Sequence, residues 1–240
     1  MNEKLYGILK DSAGFFGVEI TKEMYEKFEI YKNLLQEWNN KMNLTAITDD
    51  EAVMVKHFAD SVSIVPFVKK IKAENAADIG TGAGFPGIPL KICCPDIKLC
   101  LVDSLAKRLT FLDTVCKETG LENIDIVHSR AEDLGRNPKY REKFDFVTAR
   151  AVANMPVLLE YCMPFVKVGG YFAAMKGNPE NEPDFTNAMK ILSGKLEQED
   201  DFSLSVDGEK QHRHIFYVKK CRQISTQYPR KSGTASKKPL

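Results

Sequence analysis

Residues 78–90 read DIGTGAGFPGIPL, a carboxylate joined to a glycine ladder, and few folds can accommodate such a stretch. The residues before it, Asn75–Ile79, are short and apolar enough for a buried strand, and an apolar helical pattern begins at Ile88–Ile92. Strand, glycine loop and helix in that order form a nucleotide-cofactor turn at the edge of an α/β sheet. Gly80, Gly82 and Gly84 let the backbone turn tightly and leave it bare where a ligand must approach. Pro86 and Pro89 fall in or near the first helical turn, where a missing amide hydrogen costs little.

Gly82–Gly87 (GAGFPG) formally satisfies the dinucleotide fingerprint. Asp78 argues against a pyrophosphate, because a carboxylate at the strand end repels phosphate and attracts a cation. The loop therefore suits S-adenosylmethionine, whose ammonium and sulfonium groups are cationic. Its ribose hydroxyls call for a second acid after the next strand, roughly 20 residues on. Asp103 closes the apolar run Ile97–Val102 and stands at that place; its alternative role is to cap a helix starting near Ser104.

From Asn75 onward, strand candidates alternate with helical patterns: Asn75–Ile79, Ile97–Val102, Ile124–His128, Phe144–Ala149 and Gly170–Met175. This is the pattern of a mostly parallel, doubly wound α/β sheet with ligands at the carboxyl ends of its strands. Phe202–Val206 and His214–Val218 are expected to form a C-terminal antiparallel hairpin. The first seventy residues read as a helical extension, with Met24, Phe28, Tyr31, Leu34, Leu35 and Trp38 forming one apolar stripe that ends near Asn39-Asn40. The expected division is residues 1–70 helical, 71–222 the α/β domain and 223–240 a basic tail.

With 43% hydrophobic residues the chain can bury a sizeable core. Its six cysteines show no disulfide spacing and no apolar run approaches a membrane span, so a cytoplasmic protein away from membranes is expected. Asn43-Leu44-Thr45 matches a glycosylation acceptor that has no meaning without a secretory signal. The net charge of +1 hides an asymmetry, because Lys219–Leu240 holds seven basic residues and no acid. Such a tail can meet a polyanion, with Tyr228 stacking on a base, or can be a solvated terminus. As a polyanion-binding arm it would be removable without loss of cofactor affinity.

Other polar groups gather at the expected strand ends. After the third strand, Glu132 and a backbone amide of the 129–133 segment could orient an adenine, or simply favour a helix start. After the fourth, Arg150 could hold phosphate or pair with Glu132; after the fifth comes Lys176. His57, Asp60 and Ser61 lack the nucleophile elbow of a hydrolase. His212 and His214 have no sequence partners at metal-ligand spacing, so no metal is expected.

Together these pieces resemble the bacterial glucose-inhibited division protein B family, the small-subunit ribosomal RNA guanine-N7 methyltransferases. The resemblance spans nearly the whole chain. It rests on NLTAI (Asn43–Ile47), HFADS (His57–Ser61), DIGTGAGFPGIPL (Asp78–Leu90), VDSLAKRLTFL (Val102–Leu112), FDFVTARAV (Phe144–Val152) and YPRKSGTASKKPL (Tyr228–Leu240). Val62 replaces an expected leucine, and Ala235 stands where the family tail often has proline.

The resemblance implies a class I S-adenosylmethionine-dependent methyltransferase fold, acting on a guanine in a 16S rRNA loop near the decoding site. It implicates Gly80, Phe85, Ala131, Glu132 and Arg150 in cofactor contact, beside Asp78, Gly82, Gly84 and Asp103 read from the loop. Neutral guanine N7 carries a free lone pair, so no general base is expected; Asn43, His57, Arg150 and Lys176 are positioning candidates. Tyr228, Arg230, Lys231, Lys237 and Lys238 are the RNA-facing candidates. The expected substrate is 16S rRNA within the small ribosomal subunit or an assembly intermediate, and the expected state is a monomer. A nicotinamide oxidoreductase, a nonenzymatic RNA-binding factor and a methyltransferase for proteins or small molecules are the competing readings.

Overall fold

The apolar runs between residues 75 and 176 form five strands, β1 (Asn75–Ile79), β2 (Lys98–Asp103), β3 (Ile124–His128), β4 (Phe144–Arg150) and β5 (Val166–Lys176), followed by β6 (Gly194–Val206) and β7 (Glu209–Lys220). These come from a computed structural model describing residues 1–206 and 208–240. One sheet has the order β3-β2-β1-β4-β5-β7-β6. β1 pairs in parallel with both β2 and β4, so the chain reverses direction across the sheet at β1 and opens a crevice beyond the carboxyl ends of these strands. β7 pairs antiparallel with β5 and β6.

The expected hairpin is present, but its strands are 13 and 12 residues long. Phe202, Leu204 and Val206 alternate as one apolar face at the end of β6, whereas the preceding run LEQEDD alternates half-buried with exposed positions and carries acids on both faces.

The helices are α1 (Glu3–Gly14), α2 (Lys22–Met42), α3 (Asp50–Ala52), α4 (Asp60–Val62), α5 (Val65–Lys70), α6 (Gly87–Cys93), α7 (Ala106–Glu118), α8 (Ala131–Leu134), α9 (Met155–Cys162), α10 (Thr186–Ile191) and α11 (Thr234–Lys237), with a π-helical stretch, Val53–Ala59, joining α3 to α4. Thr21 caps α2 by accepting from the Met24 amide, and Asn43 ends it in the left-handed conformation at φ 49°. The buried stripe of α2 is Tyr25, Phe28, Tyr31, Lys32 and Leu35. Lys32 lies on this stripe because its ammonium reaches Asp50 at 2.8 Å.

Side chains alternate between the two faces of the sheet. Ala76, Leu99, Leu101 and Phe146 join a core shared with the N-terminal helices; Ala77, Ile79, Cys100, Val102 and Val147 join a second core under α9 and α10. The N-terminal helices thus share their apolar interior with the sheet. Phe67 of α5 stacks on Tyr217 of β7 at 3.9 Å, and Tyr31 of α2 stacks on Phe85 of the glycine loop at 5.4 Å.

The C-terminal tail lies on the second core, and so it is not a solvated arm. Arg141 donates to the carbonyls of Tyr228 (2.7 Å) and Ile224 (3.0 Å). Arg230 forms a forked ion pair with Glu160, which is 1% exposed. Ala235, where the family tail often has proline, is buried at the start of α11.

Candidate active site

The glycine loop is built from below. Asp78 at the end of β1 is fully buried, and its Oδ2 accepts from Thr81 Oγ1 (2.7 Å) and from the Gly87 amide (2.8 Å). Burial pushes its carboxyl up to about 6, against those hydrogen bonds and the Arg150 charge, which lower it. Asp78 therefore sits beneath the loop and shapes it through Oδ2, while its Oδ1 is buried without a partner. A Cβ on Gly87 would come within 2.5 Å of Leu101, which makes that residue a requirement of the loop that the glycine reading passed over.

The remaining glycines divide by what lies over them. Gly84 has φ 100°, and a Cβ there would meet Ile88 and the Tyr31 hydroxyl at 2.7 Å, so its role is packing against α2. That hydroxyl also donates to the Ala83 carbonyl. Gly82 has φ 60° and open space over its bare face. At Gly80, φ 72°, a Cβ would lie 2.8 Å from Val152.

A cleft of about 330 Å³ opens at the carboxyl ends of β1 to β4, lined among others by Gly80, Asp103, Arg108, Ala131, Glu132 and Val152. Asp103, 3% exposed, accepts from the amides of Gly82 and Leu105, each at 2.9 Å, and meets Arg108 at 3.3 Å. It thus braces the loop and also caps the turn into α7. Glu132 reaches the cleft edge while accepting from the Gly233 amide at 3.0 Å, so a tail residue helps orient it. Arg108, Val152 and Tyr161 line the cleft and were missed; Arg108 and Val152 lie within the quoted motifs, whereas Tyr161 has no sequence signal.

A second cleft, about 480 Å³, adjoins the first at Ala151. Its walls include His57, Asp60, Arg150, Lys176, Asn178 and Arg213. Arg150 pairs with buried Asp60 at 2.7 Å, not with Glu132, and its guanidinium lies 4.8 Å over the Phe85 ring. Phe85 stacks on its other neighbour, His57, at 4.5 Å. Phe85 and Arg150 thus belong to the wall of the second cleft and its backing, while Gly80, Ala131 and Glu132 line the first.

His57 is held in one protonation state. Burial, and next the Arg150 charge, push its imidazole down to about 3. Nδ1 lies 3.2 Å from an Arg150 nitrogen that can only donate, so Nδ1 accepts and Nε2–H donates to Thr45 Oγ1 at 2.7 Å. Lys176 bonds Glu182 (2.7 Å) and the Ala153 carbonyl (2.6 Å), tying β5 to the loop after β4. Arg213 reaches the other oxygen of Asp60 at 3.1 Å. Asn43 is exposed at the end of α2 and does not line this cleft.

Of the tail candidates, Arg230 is spent on Glu160 and Tyr228 packs on the second core; Lys231, Lys237 and Lys238 are exposed. All six cysteines are free thiols, and no helix among the described residues is long and apolar enough to cross a membrane.

The profile of the GidB family, rRNA small subunit methyltransferase G, matches residues 24–215. The chain belongs to this family. It is 52% identical over 238 residues to the ribosomal RNA small subunit methyltransferase G of Acetivibrio thermocellus, covering 99% of this chain and 97% of that one. The protein of the same name from Alkaliphilus oremlandii is 48% identical over 240 residues, with 99% of each chain covered. Among solved structures, the YcgJ protein from Bacillus subtilis aligns with TM-score 0.53 at 13% identity, over 70% of this chain and all of that one. A SAM-dependent methyltransferase from Methanosarcina mazei aligns with TM-score 0.50 at 14% identity, over 66% and 98%. These two likenesses carry the class I methyltransferase fold.

The chain is therefore an S-adenosylmethionine-dependent methyltransferase, and its first cleft fits that cofactor. The almost fully buried acid Asp103 and a second acid at Glu132, set beside Ile79, Val102 and Val152, supply the mixed apolar and acceptor lining that a cationic nucleoside needs.

Proposed function

We propose that this protein transfers the methyl group of S-adenosylmethionine to N7 of one guanine in a loop of 16S rRNA near the decoding site, within the small subunit or an assembly intermediate. Acting as a cytoplasmic monomer is part of the same reading. The observation that carries it is the second cleft, which adjoins the cofactor cleft at Ala151 and offers cations and hydrogen-bond donors beside a histidine whose ring nitrogens are both engaged.

When bound, S-adenosylmethionine supplies an electrophilic methyl. The chain's own residues provide alignment: Arg150, fixed by Asp60, His57 and Phe85, forms a rigid wall beside the junction of the clefts. Rigid placement of reactants can contribute on the order of 7–11 kcal/mol. His57 serves as a neutral spacer whose lone pair is already engaged, so it does not remove a proton, and N7 of neutral guanine has none to remove. Asp60 and Glu182 offset two of the three charges of Arg150, Arg213 and Lys176, which reduces the positive field that a guanine becoming cationic on methylation would face. Lys231, Lys237 and Lys238 are the tail residues free to meet RNA phosphates.

The deciding experiment is methyl transfer from labelled S-adenosylmethionine to small ribosomal subunits lacking their native modification, with mapping of N7-methylguanine by strand scission. Label at a single 16S guanine is the expected result. Label in protein, or at another base position, would overturn the proposal.

A further inference from the structure

The hairpin of β6 and β7 assembles a group of ligating side chains that the linear sequence keeps apart. His212 and His214 are two residues apart on β7 and so share a face, and Asp201 on β6 stands opposite His214 in the ladder. Asp201 Oδ1 lies 3.4 Å from His212 Nε2, and its Oδ2 lies 3.4 Å from His214 Nδ1. One ligand atom from each residue lies within 4.8 Å of the other two. We propose that Asp201, His212 and His214 form a binding site for a divalent transition metal of the zinc type.

The spacing favours this over a simple hydrogen-bonded cluster. Separations of 3.4 Å are slack for N–H···O bonds, which centre near 2.9–3.0 Å. Tetrahedral zinc with bonds of about 2.0–2.1 Å places its ligand atoms about 3.3–3.4 Å apart. Each imidazole thus already stands at that distance from one of the two Asp201 oxygens. Gathering one oxygen and both rings around a single ion takes a movement of His212, whose side chain is 39% exposed.

An independent feature points the same way. His214 Nε2 meets Glu199 Oε2 at 2.9 Å, a good hydrogen bond from the ring N–H. With Nε2 so engaged, Nδ1 is the ring nitrogen that faces the Asp201 carboxylate. A carboxylate on the far nitrogen of a ligating histidine is how metal sites fix the tautomer and raise ligand basicity. Lys176, the ladder neighbour of His214 on β5, directs its ammonium to Glu182 and the Ala153 carbonyl. His214 is buried while Asp201 is exposed, so the metal would sit at the surface with its fourth position open to water. Such a metal would clasp the two strands at the residues flanking Arg213, which reaches across to Asp60 in the second cleft.

The test is titration of untagged, chelator-treated protein with Co²⁺, followed by displacement with Zn²⁺. One equivalent of Co²⁺ should give the visible absorption of a tetrahedral site, lost on adding Zn²⁺. His212→Ala and Asp201→Asn should each weaken binding at least tenfold while circular dichroism stays unchanged. Glu199→Gln should keep the one-to-one stoichiometry with affinity reduced about 10–100-fold. No saturable binding by the wild-type chain, or equal binding by folded His212→Ala and Asp201→Asn, would overturn the proposal.

Discussion

Arg150 illustrates how one side chain serves packing and site together. Its partner Asp60 is 2% exposed, and truncation of one member of such a pair costs up to about 3–5 kcal/mol, because the other charge stays buried. Arg150→Ala should lower the urea midpoint and turnover together, with the stability loss at the lower end because Arg213 still reaches Asp60. His57 makes a separate, pH-dependent prediction. Its ordinary value of 6.5 falls to about 3 on folding, so below pH 6.5 the unfolded chain takes up a proton that the folded chain does not. That contribution is complete above pH 6.5 and is lost as pH falls toward 3. Urea midpoints measured at pH 7.5 and 5 should therefore drop more for the wild type than for His57→Gln, and an equal drop would show that His57 is not held neutral. The glycines separate in the same residue-by-residue way. Gly82→Ala meets open space and a left-handed φ, costing about 1 kcal/mol of stability while obstructing cofactor approach. Gly84→Ala adds overlap with Ile88 and Tyr31 and should cost about 1–3 kcal/mol more. Denaturation and S-adenosylhomocysteine binding, measured on both, should rank them in opposite orders.

The tail behaves as a structural element. Arg230 neutralises buried Glu160, and the Gly233 amide holds Glu132 at the rim of the first cleft. Removing residues 228–240 should lower thermal stability and S-adenosylhomocysteine affinity together, contrary to the sequence expectation of unchanged cofactor binding. Retained affinity in the truncated protein would show that Glu132 does not need its tail donor. Composition pointed to a basic, polar segment; the acids that recruit it lie 70 and 101 residues away in sequence, and no local pattern exposes such pairings. Helix α2 presents the reverse case. Its aromatic period was visible, but the use of Tyr31 to brace the glycine loop depends on a contact 52 residues away.

At the scale of the whole molecule, a polyanionic substrate must be met by a chain whose net charge is only +1. Substituting Lys231, Lys237 and Lys238 together should flatten the salt dependence of RNA binding by about 0.7–0.9 for each phosphate that is no longer neutralised, with S-adenosylhomocysteine affinity unchanged. An unaltered slope would place the RNA footprint elsewhere. The succession of strands along the chain, the glycine turn and the acid after β2 were legible because each follows from local chemistry: apolar runs of strand length, residues that tolerate positive φ, and a carboxylate at a fixed distance along the chain. Tertiary structure alone decided that Asp78 lies under the loop, that Arg150 pairs with Asp60, that the cofactor candidates divide between two adjoining clefts, and that Asp201 meets His212 and His214. The physical reason is common to all four. Sequence period fixes which face a side chain takes, whereas the partner of a buried charge is set by which elements the sheet brings together.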